Sequence, residues 1–458
     1  MKKTFILGLS CCLALCAAAP AWGQEAYKNY DIGRYRLPDI TRNKLDFSLK
    51  SNGEFHDYTQ SSSINSIDGN FGVTFDRYRN ARTFRGTQVA SFNFSGSHDK
   101  NNDGVKTGSY TVGLSYSNSS RFYGDDYEGL FFETGGRALF SYYRYKYSGT
   151  AAYHQTKTKS GDIVLALPLR MGKGRIERVE DARQAIYILE NLAKRKVLSR
   201  ELTGEEIDAF ARLISTMKNK RFFDARLQMI DEVTAVDSFL VASGALASGG
   251  AAYFTTLYDY WMYGDLFERK SGTEISGGVT PGFGYSRYES PILFDSGIVD
   301  LYESRRRMPS ISADVRFDFE RPLNLYWQNS AWVSLSGKYL LEKYWEKDQG
   351  DIRSDRKEKN YQARLAGRYA FGYYPNSRTN INLGIEETLG WDKYDYLADD
   401  GSFLSVNTSL ALDLYYYFSP QFRLAVNGLL VHYYEDRANS NYTRWLGNLT
   451  LTLTYSLF

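Results

Sequence analysis

The chain has 458 residues with 56 basic and 53 acidic side chains, and its net charge of +3 gives nucleic acid no electrostatic footprint to recognise. Its three cysteines, Cys11, Cys12 and Cys16, all lie near the N-terminus, which excludes disulfides, thiol catalysis and thiolate metal sites from everything downstream. Tyrosine is abundant at 38 and proline scarce at 9, and past residue 23 no run of about 18 apolar residues occurs, so no membrane helix is expected.

Lys2 and Lys3 precede the apolar run TFILGLSCCLALCAAA, and Ala21-Trp22-Gly23 supplies a small-x-small site. Residues 1–23 therefore read as a secretory signal peptide cut before Gln24. A lipoprotein cut at Cys16 would need a small residue where Leu15 stands. The exported remainder is rich in tyrosine and has no spanning helix, so the closed β-barrel is its one membrane architecture.

After an N-terminal segment at 24–42, strict alternation is the main signal, first over 43–170 and again over 251–458. Strands are expected near 43–51, 65–78, 86–97, 107–118, 137–155 and 157–170. Eight more are expected near 273–289, 308–320, 329–344, 358–373, 379–391, 403–417, 421–434 and 441–458. That makes fourteen, with a range of twelve to eighteen, because the aromatic stretches 120–134 and 252–268 stay unassigned. Ile311, Ala313, Val315 and Phe317 alternate with Ser312, Asp314, Arg316 and Asp318, and the other late strands repeat the pattern. The polar face then carries Asp314, Arg316, Asp318, Glu320, Lys338, Glu342, Arg364, Arg368, Glu386, Asp413 and Arg444. These read as lumen-lining, with charges near balance and no ion preference.

From 311 onward the connections run short, then long. FERPLN at 319–324, YYPNSR at 373–378 and YFSPQF at 417–422 each place a proline where a strand ends. Between them EKDQGDIRSDRKEK at 346–359, DKYDYLADDGS at 392–402 and EDRANSN at 435–441 read as longer polar loops. Aromatic clusters beside these ends, such as Tyr373–Tyr374 and Tyr415–Phe418, suit a dry-to-wet boundary.

Over 171–250 the period changes to that of helices, and three amphipathic helices are expected across 178–243. The first would bury Ala182, Ala185, Ile186, Leu189 and Leu192. The second opens on a capping box, Thr203 with Glu206, stapled by Leu202 to Ile207. The third would bury Phe223, Leu227, Ile230 and Val233. A self-packed bundle, a plug in the lumen and a docking platform for a partner all stay open.

Motifs that carry chemistry are weak. GKG at 172–174 lacks a phosphate-loop frame, and DKNNDG at 99–104 lacks the glutamate of a calcium loop. His56, His98, His154 and His432 sit in no metal or nucleophile motif, so no catalytic, cofactor or metal residue is assigned and no enzyme is expected. RRR at 305–307 falls in an expected outer loop, where it faces acidic lipopolysaccharide or plain solvent.

The signal peptide, the alternating runs, the rhythm of proline turns and long loops, and terminal Phe458 together resemble the outer-membrane β-barrels of Gram-negative bacteria. The resemblance implies an all-β transmembrane barrel in the outer membrane, in contact with lipid and lipopolysaccharide, with Phe458 as the signal read by the barrel-assembly machinery. Phe458 departs in parity, being even-numbered where Trp445, Leu449, Leu451, Leu453 and Tyr455 are odd. With the N-terminus periplasmic, the insert and the C-terminus emerge on that same side, and the last strand closes on the first near 43–51. The expected function is a porin-like channel for small polar solutes. The alternatives are a scaffold or export component whose segment 178–243 binds a periplasmic protein, and a membrane hydrolase.

Overall fold

The computed structural model describes residues 27, 29–56, 64–101, 104–124, 126–149, 153–219, 225–247, 249–263, 268–294, 297–348, 351–395, 401–419, 422–437 and 440–455. The leader with its cleavage site, Phe223 and Phe458 lie outside these residues.

The first half of the wall is β1 (Ile40–His56), β2 (Ile64–Ala81), β3 (Phe84–Asn101), β4 (Lys106–Tyr123), β5 (Leu130–Ser148), β6 (Tyr153–Ala166) and β7 (Leu169–Arg178). The second half is β8 (Lys270–Phe294), β9 (Gly297–Pro322), β10 (Trp327–Asp348), β11 (Asp351–Asn376), β12 (Thr379–Tyr394), β13 (Ser402–Tyr417), β14 (Phe422–Arg437) and β15 (Ser440–Tyr455). Every described ladder is antiparallel and joins neighbours in the chain, save β5 with β7 and β6 with β8. β6 and β7 both lie between β5 and β8, in one continuous register. They are two pieces of one stave, broken at Leu167–Pro168, where proline has no N–H to donate. Fifteen segments thus make fourteen staves, and each matches a stave expected from the sequence.

The alternation sets the faces. Along 311–317 odd residues are exposed and even ones half-buried. The outer face carries an apolar band including Val315, Val333, Leu335, Leu365, Leu383 and Leu451, all exposed. Its lower edge is aromatic, with Trp327 stacked on Phe371 and Tyr373 at centroid distances of 4.7 and 4.1 Å. On the same face of β10, Tyr339 packs against Tyr361 at 5.3 Å. The twelve steps from Trp327 to Tyr339, at about 3.3 Å each and a tilt of about 40°, give a height of roughly 30 Å, the depth of a bilayer's hydrocarbon core. No described helix is long and apolar enough to cross a membrane.

The insert holds four helices, α1 (Glu180–Lys194), α2 (Gly204–Asn219), α3 (Ala225–Ala242) and α4 (Ala251–Tyr263). The first three follow the expectation. The fourth corrects the boundary that opened the second part of the barrel at 251: Tyr253, Leu257 and Trp261 repeat every four residues and are at most 1% exposed, a helical face hidden by aromatics that favour strands. The insert also starts later than 171, because β7 holds its ladders to Arg178. On α3 the buried face is Val236 and Leu240, while Ile230 is 78% exposed, against expectation, because Trp261 of α4 meets Glu232 and turns that face inward.

Other boundaries move for one reason. The charged stretches 346–359 and 435–441 are mostly strand, the ends of the β10–β11 and β14–β15 hairpins, as is RRR at 305–307 within β9. Their side chains pair across strands, as Arg356 does with Glu358 at 2.8 Å, so charge here marks height along the wall and not a loop. The strand break expected near 156 comes earlier, since β5 ends at Ser148 and β6 begins at Tyr153, and β1 begins at Ile40, inside the expected N-terminal segment.

The hydrogen-bonded path starts at β1 and ends at β15, and no ladder joins the two among the described residues. The expected pairing of the last strand with the first is thus not formed. Alternation encodes which face is apolar, but the meeting of the two edges depends on the summed stagger of all staves, which no single strand carries.

Candidate functional site

The inner face is built by register. Asp314, Arg316 and Asp318 on β9, Lys338 and Glu342 on β10, Arg364 and Arg368 on β11, Glu386 on β12 and Asp413 on β13 stand opposite in phase to the apolar band of their own strands, whereas Arg444 on the edge strand β15 shares its parity with the exposed Tyr442 and Leu446, so the expected lumen position is not set apart there. Few pair with each other. Arg316 grips Asp318 at 2.7 Å and lies 4.4 Å over the Trp332 ring. Arg368 faces Glu386 in the ladder. The other partners are residues not expected to line the lumen: Asp314 meets Arg170 at 2.9 Å, Glu342 meets Arg306 at 3.6 Å, and Arg364 meets Asp392 through two bonds of 2.7 and 2.8 Å.

Toward the insert the inner face tightens into a charged cluster. Arg121 of β4 contacts Glu133 of β5 at 2.7 Å and Glu274 of β8 at 2.5 Å, and Arg85 of β3 joins Glu274 at 3.2 Å. Ser119 donates to Glu133 at 2.9 Å. Glu133 and Glu274 are 5% and 4% exposed, so these pairs are shielded from water and strong, and losing one partner would strand a buried charge. Glycine makes the approach possible: Gly174, at φ +98, brings β7 so close to β8 that a Cβ would fall 2.2 Å from Thr273 O. The sequence does not reveal this cluster, because its members stand on strands far apart in the chain and 120–134 carries no clear element signal, although Arg121 and Tyr123 keep the period of two.

The insert sits across this rim. Val179 N donates to Arg269 O, so α1 leaves directly from the β7–β8 ladder. From Glu180 to Glu190 every residue of α1 is buried, charged ones included, so its first three turns have no solvent face. Its contacts reach opposite stretches of the rim. Asp181 meets Arg42 of β1 at 3.4 Å, while Tyr187 donates to Tyr374 O of β11 at 3.0 Å. Leu325, in the β9–β10 turn, and Ile40 share the core formed by α1, α2, α3 and α4. The wall therefore curls around the bundle, and α1 lies across the mouth.

Asp181 is the hub. It accepts from Lys218 Nζ at 2.8 Å and Ser215 Oγ at 2.5 Å, and Ser215 in turn meets Tyr35 Oη at 2.7 Å, which ties β1, α1, α2 and the N-terminal segment together. Burial works to raise its carboxyl, but Lys218 and Arg42 overcome it and hold Asp181 below the usual carboxylate range. Beside it Glu180 goes the other way, raised by burial despite Arg178 at 2.7 Å. Arg269 is fully buried on main-chain carbonyls of Asn324, Leu325 and Trp327, and burial, with Arg183 nearby, pushes its guanidinium down to about 9. The capping box forms as expected: Glu206 N donates to Thr203 Oγ1 and Thr203 N to Glu206 Oε2, with Leu202 and Ile207 buried behind it.

His432 stands on the outward face, its ring 4.3 Å from Trp445 and its Nε2 3.2 Å from Thr443 Oγ1. No group of three or more potential metal ligands occurs among the described residues.

An antiparallel wall of fourteen staves with an apolar outer band and a charged inner face is the architecture of the outer-membrane β-barrels that the sequence resembles. No protein-family model matches the chain. No curated protein matches it either. Among solved structures it is similar to the ferric yersiniabactin uptake receptor of Yersinia pestis, at 9% identity and a TM-score of 0.36 over 91% of this chain and 72% of that one. It is also similar to a mutant of the monoaromatic hydrocarbon channel TodX, at 7% identity and a TM-score of 0.31 over 95% of each. The translocator domain of the autotransporter NalP from Neisseria meningitidis is a third, at 10% identity and a TM-score of 0.25, covering 82% of this chain and 89% of that one.

Proposed function

We propose that this chain is a Gram-negative outer-membrane barrel that conducts small polar solutes, in the manner of a porin, through a lumen whose periplasmic mouth its own helices occupy. The observation that carries this reading is the inner face of paired charges ending at α1, a helix buried on all sides from Glu180 to Glu190 across the rim. A wall of this strand number leaves room for water inside. The start of β1, the end of β15 and the insert lie on one rim, which the reading assigns to the periplasm, and Phe458 serves as the assembly signal. No catalytic step, cofactor or metal is part of the reading.

Planar-bilayer recording tests it. Residues 180–268 would be replaced by a short Gly-Ser turn, since Arg178 and Lys270 already face each other in the ladder. The full chain is expected to pass small, intermittent currents and the excised chain larger, steady ones. Silence from both at every voltage would reject conduction.

A second reading has its own support. Ile230 and Val241 on α3, and Phe254 and Tyr258 on α4, are 48–78% exposed, which suits a docking face for a periplasmic protein of an export system. If excision stops the release of some exported cargo while the barrel still assembles, and no current is ever seen, this reading replaces the first.

A further inference from the structure

Three cations face one another on the outer surface near the rim far from the insert, with no anion among them. Arg307 of β9 lies opposite Lys343 of β10, and Lys343 lies opposite Lys357 of β11. All three are exposed. Side chains so opposed have Cβ atoms about 4.5–5.5 Å apart, and like charges at that spacing repel. None of the three has an ion-pair partner among the described residues, and Lys359, next but one to Lys357 on β11, adds a fourth positive charge to the same face. The neighbouring cations are neutralised: Arg305 meets Glu303 at 2.6 Å, and Arg287 meets Glu303 at 3.2 Å. The nearby carboxylate of Asp355, opposite Trp345, makes no ion pair with the triad.

Height and surroundings give the triad a meaning. Lys343 is four residues beyond Tyr339 on the same face of β10, which places it roughly 10 Å above the apolar band, at headgroup level. Below the row of Leu341 and Lys359 run aligned rows of the outer face: Ile311, Tyr339 and Tyr361, then Ala313, Gly337 and Ala363. A Cβ on Gly337 would meet only Gln362 O, at 4.0 Å, so the second row is a shallow dip open to the outside.

We infer that Arg307, Lys343 and Lys357 bind the phosphorylated headgroup of a lipid in the far leaflet, with its acyl chains lying down the wall over the rows beneath. The unpaired charge is kept because an anion completes it, and a lipid is the anion whose other end matches an apolar surface. A free phosphate would want a concave, polar site, and this wall is convex and turns apolar within four residues. The site requires the bilayer placement proposed above, not conduction, so its failure leaves the conduit untouched.

The test uses the full chain in neutral detergent, with native mass spectrometry to count bound lipid. Three probes are offered: diphosphoryl lipid A, the same lipid with both phosphates removed, and inorganic phosphate as competitor. One diphosphoryl lipid should be retained. Retention should fall about tenfold to a hundredfold in the triple variant Arg307→Gln, Lys343→Gln, Lys357→Gln, and equally for the dephosphorylated lipid. The paired control Arg305→Gln should stay within about twofold. Lys343→Glu separates binding from folding: it gives Arg307 and Lys357 an anion, so thermal stability should rise while lipid is lost. Retention unchanged in the triple variant, retention in Lys343→Glu, or displacement of the lipid by millimolar phosphate would each overturn the inference.

Discussion

Arg170 of β7 holds Asp314 of β9 at 2.9 Å across a whole intervening strand, because the residue between them is Gly278 of β8. Register places Arg170 beside Gly278 and Gly278 beside Asp314, and the missing side chain lets the guanidinium reach over. A Cβ there would fall 2.2 Å from Leu169 O and 2.6 Å from Arg170 Cγ.

Gly278→Ala should therefore push β7 from β8 and break the ion pair, at a cost of about 1–3 kcal/mol. Gly337→Ala, with open space around it, should be neutral. Heat-modifiable mobility on gels, which reports barrel unfolding, would separate the two; equal melting would refute the packing argument.

Asp181→Asn should loosen the insert, leaving Lys218 and Arg42 near an uncharged amide at a cost of about 3–5 kcal/mol. Faster amide exchange in α1 and α2, with the strands unaffected, is the expected signature, together with larger single-channel currents.

The pH dependence follows from the same residue. The folded Asp181 carboxyl lies below its unfolded value, so its contribution is complete above about pH 4 and is lost as pH falls through the folded value. Glu180, raised in the folded state, has the opposite sign and gains stability on acidification. Exchange of α1 amides between pH 3 and 6 should flatten in Asp181→Asn and steepen in Glu180→Gln.

Arg121→Gln should leave Glu274 and Glu133 with an excess of negative charge in the lumen. Reversal potentials in a salt gradient should then shift toward cation preference. No shift would mean that ions do not pass this cluster.

The seam yields another expectation. Hydrocarbon offers no partner to the free N–H and C=O groups of β1 and β15, so the two strands should pair, antiparallel, once in a bilayer. Downstream of Cys16 the chain has no cysteine, so single cysteines walked along 44–52 and 443–453 can be tested pairwise for crosslinks. Crosslinks in liposomes at one register support closure; none at any register would refute it.

Much of the wall was legible in the residues. Ile311 to Phe317 shows why: a period of two over a half-buried surface has one reading, and fourteen such runs were each found again. The capping box at Thr203 and Glu206 was legible too, because it is local. The mouth was not. Arg85, Arg121 and Glu274 are distant in sequence and meet only through the curl of five neighbouring staves. Helix α4 was hidden because Tyr253 and Trp261 fit strand and helix alike. The free seam was invisible because an edge is a property of the whole sheet.

Arg178 and Lys270 are the two ends of one rung of the ladder. The chain thus steps out of the wall and returns to the spot it left, with every later strand in the phase it would have had anyway. The four helices behave as a cassette: lineages, or a bench scientist, can swap what sits in the doorway without rebuilding the house.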